Sequence, residues 1–310
     1  MPADVIDLAD ARIRRGDHMV RGTAADGMVR AIAVTARQTV QTAHENHGTS
    51  PLVSAALGRL MMAGLMMGAL FKNPDELITL EVRGDGPIGG LTVTANNHGQ
   101  VKGFANDPHV WLPLNGRGKL DVGGGLGKGT LTVVRDMPGT MPYSSQTELV
   151  TGEIGDDLAA HFSLSDQVPT SVGVGVLVDT DTSIRQAGGF IVQLMPGADE
   201  ELIGKLEDNI FLMDQLTTIL DEDGPEELFR QVLKGLEYHL VAEAPVGYRC
   251  PCSRERVGMA LSVIDTGDLE QMIGEGKDVD VLCQFCDRQY AFTPADLREI
   301  LRAKTEKEDD

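Results

Sequence analysis

Cys250, Cys252, Cys283 and Cys286 are all the thiols in this 310-residue chain. They sit in its last fifth, as one Cys-x-Cys ("RCPCSRER") and one Cys-x-x-Cys ("CQFC") about thirty residues apart. Such a set admits three chemistries: a structural staple, a metal site or thiol redox chemistry. All seven histidines lie at or before His239, so no imidazole is at hand in sequence to complete a mixed cluster. In a reducing compartment the resting form of these residues is thiol or thiolate. Two close pairs of thiolates suit tetrahedral zinc, with Zn–S bonds of ~2.3 Å and the intervening chain folded between two knuckles.

A closed four-sulfur site leaves no coordination position for a substrate, which favours a structural metal. The one-residue spacing of the first pair points further. In either pair the two sulfurs are close enough to join if the metal is lost, and a disulfide spanning a single residue is strained and readily reduced again. Metal-bound thiolates are also the form that oxidants attack. A reversible switch and a plain zinc knuckle both remain open on these residues alone.

The segment that must position the cysteines has few large apolar residues, among them Val257, Leu261, Leu269, Leu282, Phe285, Tyr290 and Phe292. Its core must be small, so metal ligation, worth ~10–16 kcal/mol in small zinc peptides, would supply much of its folding free energy. Upstream, 199–248 carries thirteen acids against three bases. Apolar residues recur there at steps of three and four: Leu202, Leu206, Ile210, Met213, Leu216 and Leu220, then Leu228, Val232, Leu236 and Leu240. That period predicts two amphipathic helices broken at "DEDGP", with Pro225 in the first turn of the second. Two such helices need another surface to lie on, and their polar content predicts modest docking.

The first two thirds read differently. Gly27 to His44 and Ser50 to Phe71 are expected to be helices, the second a buried core helix with a Met-rich face at Met61, Met62, Met66 and Met67. Short β-rich runs follow at Leu77–Val82, Gly90–Ala95, Thr130–Asp136, Val172–Val178 and Gly189–Met195. Several adjoin one another with no helix between, so the expected class is α+β. The glycine cluster "VGGGLGKGT" lacks the Gly-Lys-Ser/Thr ending of a phosphate-binding loop and is expected to be an extended connection. Ser144, Glu148, Asp136 and His161 match no hydrolase motif, and no catalytic residue is assigned.

Lys and Arg number 27 against 47 Asp and Glu, a formal charge of −20. Such a charge repels phosphate backbones and anionic lipid, so neither nucleic acid nor membrane is an expected partner. Pro51–Phe71 is long enough to invite a membrane reading, but Arg59 and its internal glycines fit a core helix better. The N-terminus "MPADVIDLADARIRRGD" does not read as a secretory signal, and the expected compartment is the cytoplasm.

"YRCPCSRERVGMALSVI" followed by "VDVLCQFCDRQYAFTPADL" closely resembles the switch region of the heat-shock protein 33 family, the redox-regulated 33-kDa chaperonins of bacteria. The resemblance extends through "SAALGRLMMAGLMMGALFK", "SDQVPTSVGVGVLVD" and "AGGFIVQLMPGADEELI", with "SVIDTGDLEQM" as a small local departure. It implies an N-terminal mixed helix/sheet domain (1–196), an acidic helical linker (197–248) and a small zinc-binding redox-switch domain (249–310). The implied function is that of an ATP-independent holdase of the stress response, not an enzyme, that binds unfolding client proteins. The implied reduced form is inactive, with one zinc per chain on Cys250, Cys252, Cys283 and Cys286. Oxidation would form Cys250–Cys252 and Cys283–Cys286, release zinc, unfold the switch domain and linker, and give an active homodimer. Two other readings are a thiol-disulfide oxidoreductase using Cys-x-x-Cys, and a structural zinc-ribbon interaction protein.

Overall fold

A computed structural model describes residues 16–73 and 75–308; the signal-peptide reading rests largely on residues outside that range. The chain divides into two compact units, Met1–Arg249 and Cys250–Asp310.

The larger unit runs β1 (His18–Ala24), β2 (Val29–Thr35), α1 (Arg37–His47), α2 (Pro51–Gly68), β3 (Leu77–Gly84), β4 (Gly90–Asn96), β5 (Gln100–Ala105) and α3 (Val122–Leu126). It continues with β6 (Gly129–Asp136), β7 (Tyr143–Glu148), α4 (Gly155–His161), β8 (Thr170–Val178), β9 (Ile184–Leu194), α5 (Glu200–Leu212), α6 (Leu216–Glu222), α7 (Pro225–Val232), β10 (Tyr238–Pro245) and β11 (Gly247–Tyr248). Five strands form one sheet in the order β10-β1-β2-β9-β8, and six form another in the order β11-β5-β4-β3-β6-β7. All pairings are antiparallel except that of β11 with β5. The α+β class expected from the sequence holds.

Helix α2 starts where Ser50 accepts a hydrogen bond from the Val53 amide and Pro51 opens the first turn. It lies between the two sheets. A Cβ at Gly58 would come within 2.7 Å of Val176 on β8, and one at Gly64 within 3.0 Å of Val93 on β4, so these glycines let strands from both sheets approach the helix. All four methionines of its Met-rich face are buried in this core. The helix is long and apolar enough to cross a membrane, but 89% of its 18-residue window is buried inside the fold.

Three local expectations are corrected. Gly27–His44 is not one helix: β2 occupies its first half and α1 its second. Strand β2 is buried on both faces, with Val29, Ala31, Ile32, Ala33 and Val34 all inside, so no alternation distinguishes it from a helical pattern. The glycine cluster is not wholly extended, since Val122–Leu126 forms a short helix capped by Asp121, which accepts from the Gly124 amide.

The third correction concerns 199–248. It forms three helices and two strands, because α7 stops at Val232 and Leu240 lies on β10, paired with β1 along its whole length, with β11 following. Nor is its docking modest. Leu206, Ile219, Leu220, Leu228, Phe229, Val232, Leu233 and Leu240 are buried with Val20, Ala31, Phe190 and Val192, forming a second core on the other face of the five-stranded sheet. The Phe229 ring meets Tyr238 edge-on at 5.7 Å.

The smaller unit comprises α8 (Arg254–Leu261), α9 (Thr266–Glu275), the hairpin β12 (Val279–Leu282) and β13 (Gln289–Phe292), and α10 (Pro294–Glu308). Its packed apolar cluster among the described residues is Leu261, Phe292 and Leu297, with Val257, Ile264, Met272 and Tyr290 among the partly buried residues around them. Leu269 is also buried.

Candidate metal and redox centre

Each cysteine pair sits on a local structure that its sequence explains. Cys250 and Cys252 precede α8, whose cap is Ser253, accepting from the Arg256 amide at 3.3 Å. Cys283 and Cys286 occupy the turn between β12 and β13. The Cys283 amide donates to the Arg288 carbonyl at 3.0 Å, and the Cys286 and Asp287 amides both donate to the Cys283 carbonyl. Asp287 takes a left-handed conformation, φ +54°, which closes this knuckle.

The knuckles bring all four sulfurs within 4.8 Å of one another. Two contacts run across the motifs: Cys250 Sγ is 3.6 Å from Cys283 Sγ, and Cys252 Sγ is 3.3 Å from Cys286 Sγ. A tetrahedral zinc with bonds of ~2.3 Å places its sulfurs ~3.8 Å apart, so these two contacts need only lengthen slightly to hold that ion. Donor type and spacing both fit zinc.

Thiols packed this closely do not ionise independently. Burial opposes ionisation of Cys252, but hydrogen bonds from the Tyr290 hydroxyl, 3.2 Å away, and from the neighbouring thiols outweigh it and bring Cys252 down to about 7. Burial, with the hydrogen bonds Cys286 shares with Cys252 and Cys250, pushes Cys286 up to about 12. Cys250 is also raised, mainly by burial. The cluster therefore carries thiolate character at Cys252 near neutral pH, where Tyr290 also fixes the sulfur's orientation.

Residues beyond the cysteines complete the centre. Arg254 stacks over Phe292 at 4.4 Å, pairs with Asp296 at 2.8 Å and donates to the Ala291 carbonyl, tying α8 to β13 and to the start of α10. There Asp296 accepts from the Thr293 amide while Thr293 accepts from the Asp296 amide, a reciprocal cap. Sequence reasoning counted Tyr290 only as part of a small core and left Arg254 without a structural role. The only signal for Tyr290 was an aromatic four residues after the last cysteine.

The hydrolase-like set does not assemble. Buried His161 bonds Ser145 at 3.3 Å and Thr147 at 3.2 Å, not Ser144. Burial lowers its pKa, so the ring is a neutral hydrogen-bonding core residue.

Comparison with known proteins converges on one family. The family model of the Hsp33 protein matches residues 17–293. The chain is 48% identical over 285 residues to the 33 kDa chaperonin of Agathobacter rectalis, covering 92% of this chain and 99% of that one. It is 45% identical over 286 residues to the 33 kDa chaperonin of Lachnoclostridium phytofermentans, covering 92% and 98%. Among solved structures it resembles the 33 kDa chaperonin, a heat shock protein 33 homolog, of Thermotoga maritima. That match has a TM-score of 0.84 and 34% identity, and covers 94% of this chain and all of that one.

Proposed function

Because the chain belongs to the Hsp33 family, we propose that it is a chaperone that holds unfolding polypeptides without ATP and is switched by the oxidation state of Cys250, Cys252, Cys283 and Cys286. One observation carries this reading: four thiols converge in a unit with very few enclosed apolar side chains.

In the reduced form the four sulfurs hold one zinc, which supplies the cross-link that Leu261, Phe292 and Leu297 are too few to replace. Hydrogen peroxide then acts as two-electron oxidant. At each pair two thiolates give up two electrons, one S–S bond forms as the O–O bond breaks, and two protons from solvent complete two waters. The products are Cys250–Cys252 and Cys283–Cys286, which requires each sulfur to leave its neighbour across the cluster. With its donors consumed the smaller unit loses its fold.

We assign activation to the coupling of that loss, at raised temperature, to release of 197–248, which uncovers the apolar side chains of the second core for clients. The oxidised form acts as a homodimer in the cytoplasm, with no enzymatic turnover. The −20 charge supports polypeptide rather than nucleic-acid or membrane partners.

Light scattering of a heat-unfolding client tests the reading. Suppression of aggregation by oxidised but not reduced protein is expected. Equal protection by both forms contradicts the switch, and protection by neither contradicts the chaperone.

A further inference from the structure

A second cluster of ligating side chains lies in the larger unit, unrelated to the cysteines. His18 on β1, Glu226 in the first turn of α7 and Glu243 on β10 place one imidazole nitrogen and two carboxylate oxygens within 4.8 Å of one another. His18 is buried, and its Nε2 is 2.9 Å from Glu226 Oε1. Its other nitrogen, Nδ1, is 2.8 Å from the Gly16 carbonyl. A carbonyl only accepts, so Nδ1 carries a hydrogen and Nε2 is the nitrogen turned toward the carboxylates. This is how metal-binding histidines are oriented, with the far N–H anchored on backbone and the near lone pair presented.

A lone pair facing a carboxylate at 2.9 Å requires positive charge between them, either a proton or a cation. A proton serves a single N–O line. Against burial, Glu226 and Glu243 hold the His18 imidazole toward its protonated form, and the same convergence of three donors is the arrangement a metal uses. Ligands ~2.0–2.2 Å from one ion stand ~3–3.5 Å apart, close to the His18–Glu226 separation.

The site also has access. His18 and Glu226 line a cleft of about 940 Å³, walled among the described residues by five further carboxylates, Asp17 and four between Asp221 and Glu227, against Arg37 and Arg230; Glu227 is paired with Arg230 and Asp221 with Arg185. That balance concentrates cations at the opening, and the cleft leaves room for water to complete the coordination.

We propose that His18, Glu226 and Glu243 form a site for a divalent first-row cation that pins α7 and β10 to β1. Its ligands come from the body of the sheet and from both kinds of element in 199–245, so the ion fastens that segment down. The donor set is nitrogen and oxygen without sulfur, so it suits a harder ion than the cysteine cluster does.

Mn²⁺ is the probe, because it competes poorly for thiolates. Full-length protein, reduced and loaded with zinc, is titrated with Mn²⁺ and the free ion is followed by its EPR signal. One saturable Mn²⁺ per chain is expected, together with a higher unfolding midpoint. Glu243→Gln keeps the His18–Glu226 pair, so it is expected to fold normally, as checked by circular dichroism, and to weaken Mn²⁺ binding at least tenfold. His18→Asn is expected to abolish it. Absence of saturable binding would show that His18 and Glu226 share only a proton and overturns the proposal. Binding unchanged in Glu243→Gln overturns it as well, since the ion would then sit elsewhere on the acidic surface.

Discussion

By sequence both 199–245 and 250–308 look like appendages to a larger body, yet the structure treats them in opposite ways. The first completes a sheet and a core: β10 pairs with β1, and eight of its apolar side chains are buried with those of the five-stranded sheet. The second encloses Leu261, Phe292 and Leu297 and little else, and four sulfurs converge beside them. Burying an aliphatic or aromatic side chain stabilises by ~1.5–3 kcal/mol. Apolar packing thus suffices for the first segment and falls short for the second. Dependence on a ligand and susceptibility to oxidation accordingly fall on the same sixty residues.

The sharpest way to break this contrast is to remove the metal donors. Chelation of the reduced protein should cost the smaller unit on the order of 10–16 kcal/mol, and Cys283→Ser a large part of that, so either unfolds it, while at ambient temperature the larger unit stays folded. Limited proteolysis at ambient temperature should cut only beyond Arg249. Cuts throughout the chain would mean that the two regions do not differ as described.

Next in size, Phe229→Ala should destabilise the packing of 199–245 by ~3–5 kcal/mol, since that ring is buried between β1 and Tyr238. Hydrogen exchange should accelerate in α5–α7 and leave α2 protected. If α2 is exposed equally, the second core is not a separable layer. A smaller effect, ~0.5–1 kcal/mol, is expected for Arg254→Ala, which loses its place over Phe292 and its pair with Asp296. It should appear as weakened zinc retention against a competing chelator, with the melting of the larger unit unchanged.

Much of this was legible in residue types and spacing. The cysteine quartet announced its own convergence, and Ser50-Pro51 marked the start of α2. The misreadings have physical causes. Strand β2 is enclosed on both faces, so its apolar run carries no period of two. Leu236 and Leu240 continue a helical period by coincidence, because β10 is selected by pairing with β1, more than two hundred residues away. The same distance hides His18, Glu226 and Glu243, which share no motif and meet only through the pairing of β10 with β1 and the packing of α7 beside them. Tyr290 reads as a core aromatic until its hydroxyl is seen on Cys252.

The smallest expected effect is a pH dependence. Burial holds His161 below its ordinary value of 6.5. As pH falls through that value the unfolded chain takes up the proton first, so stability present above it erodes on acidification. His161→Gln should flatten the slope of stability against pH in the larger unit. An unchanged slope would assign the acid sensitivity to other groups.

The central claim is that oxidation acts on 250–308 because its fold depends on the four sulfurs. It is tested most directly by measuring zinc content, free thiols and client protection on the same samples during peroxide treatment at raised temperature. The account predicts that one zinc and four thiols per chain fall together to none as protection rises. Full protection reached while zinc and all four thiols remain would contradict it.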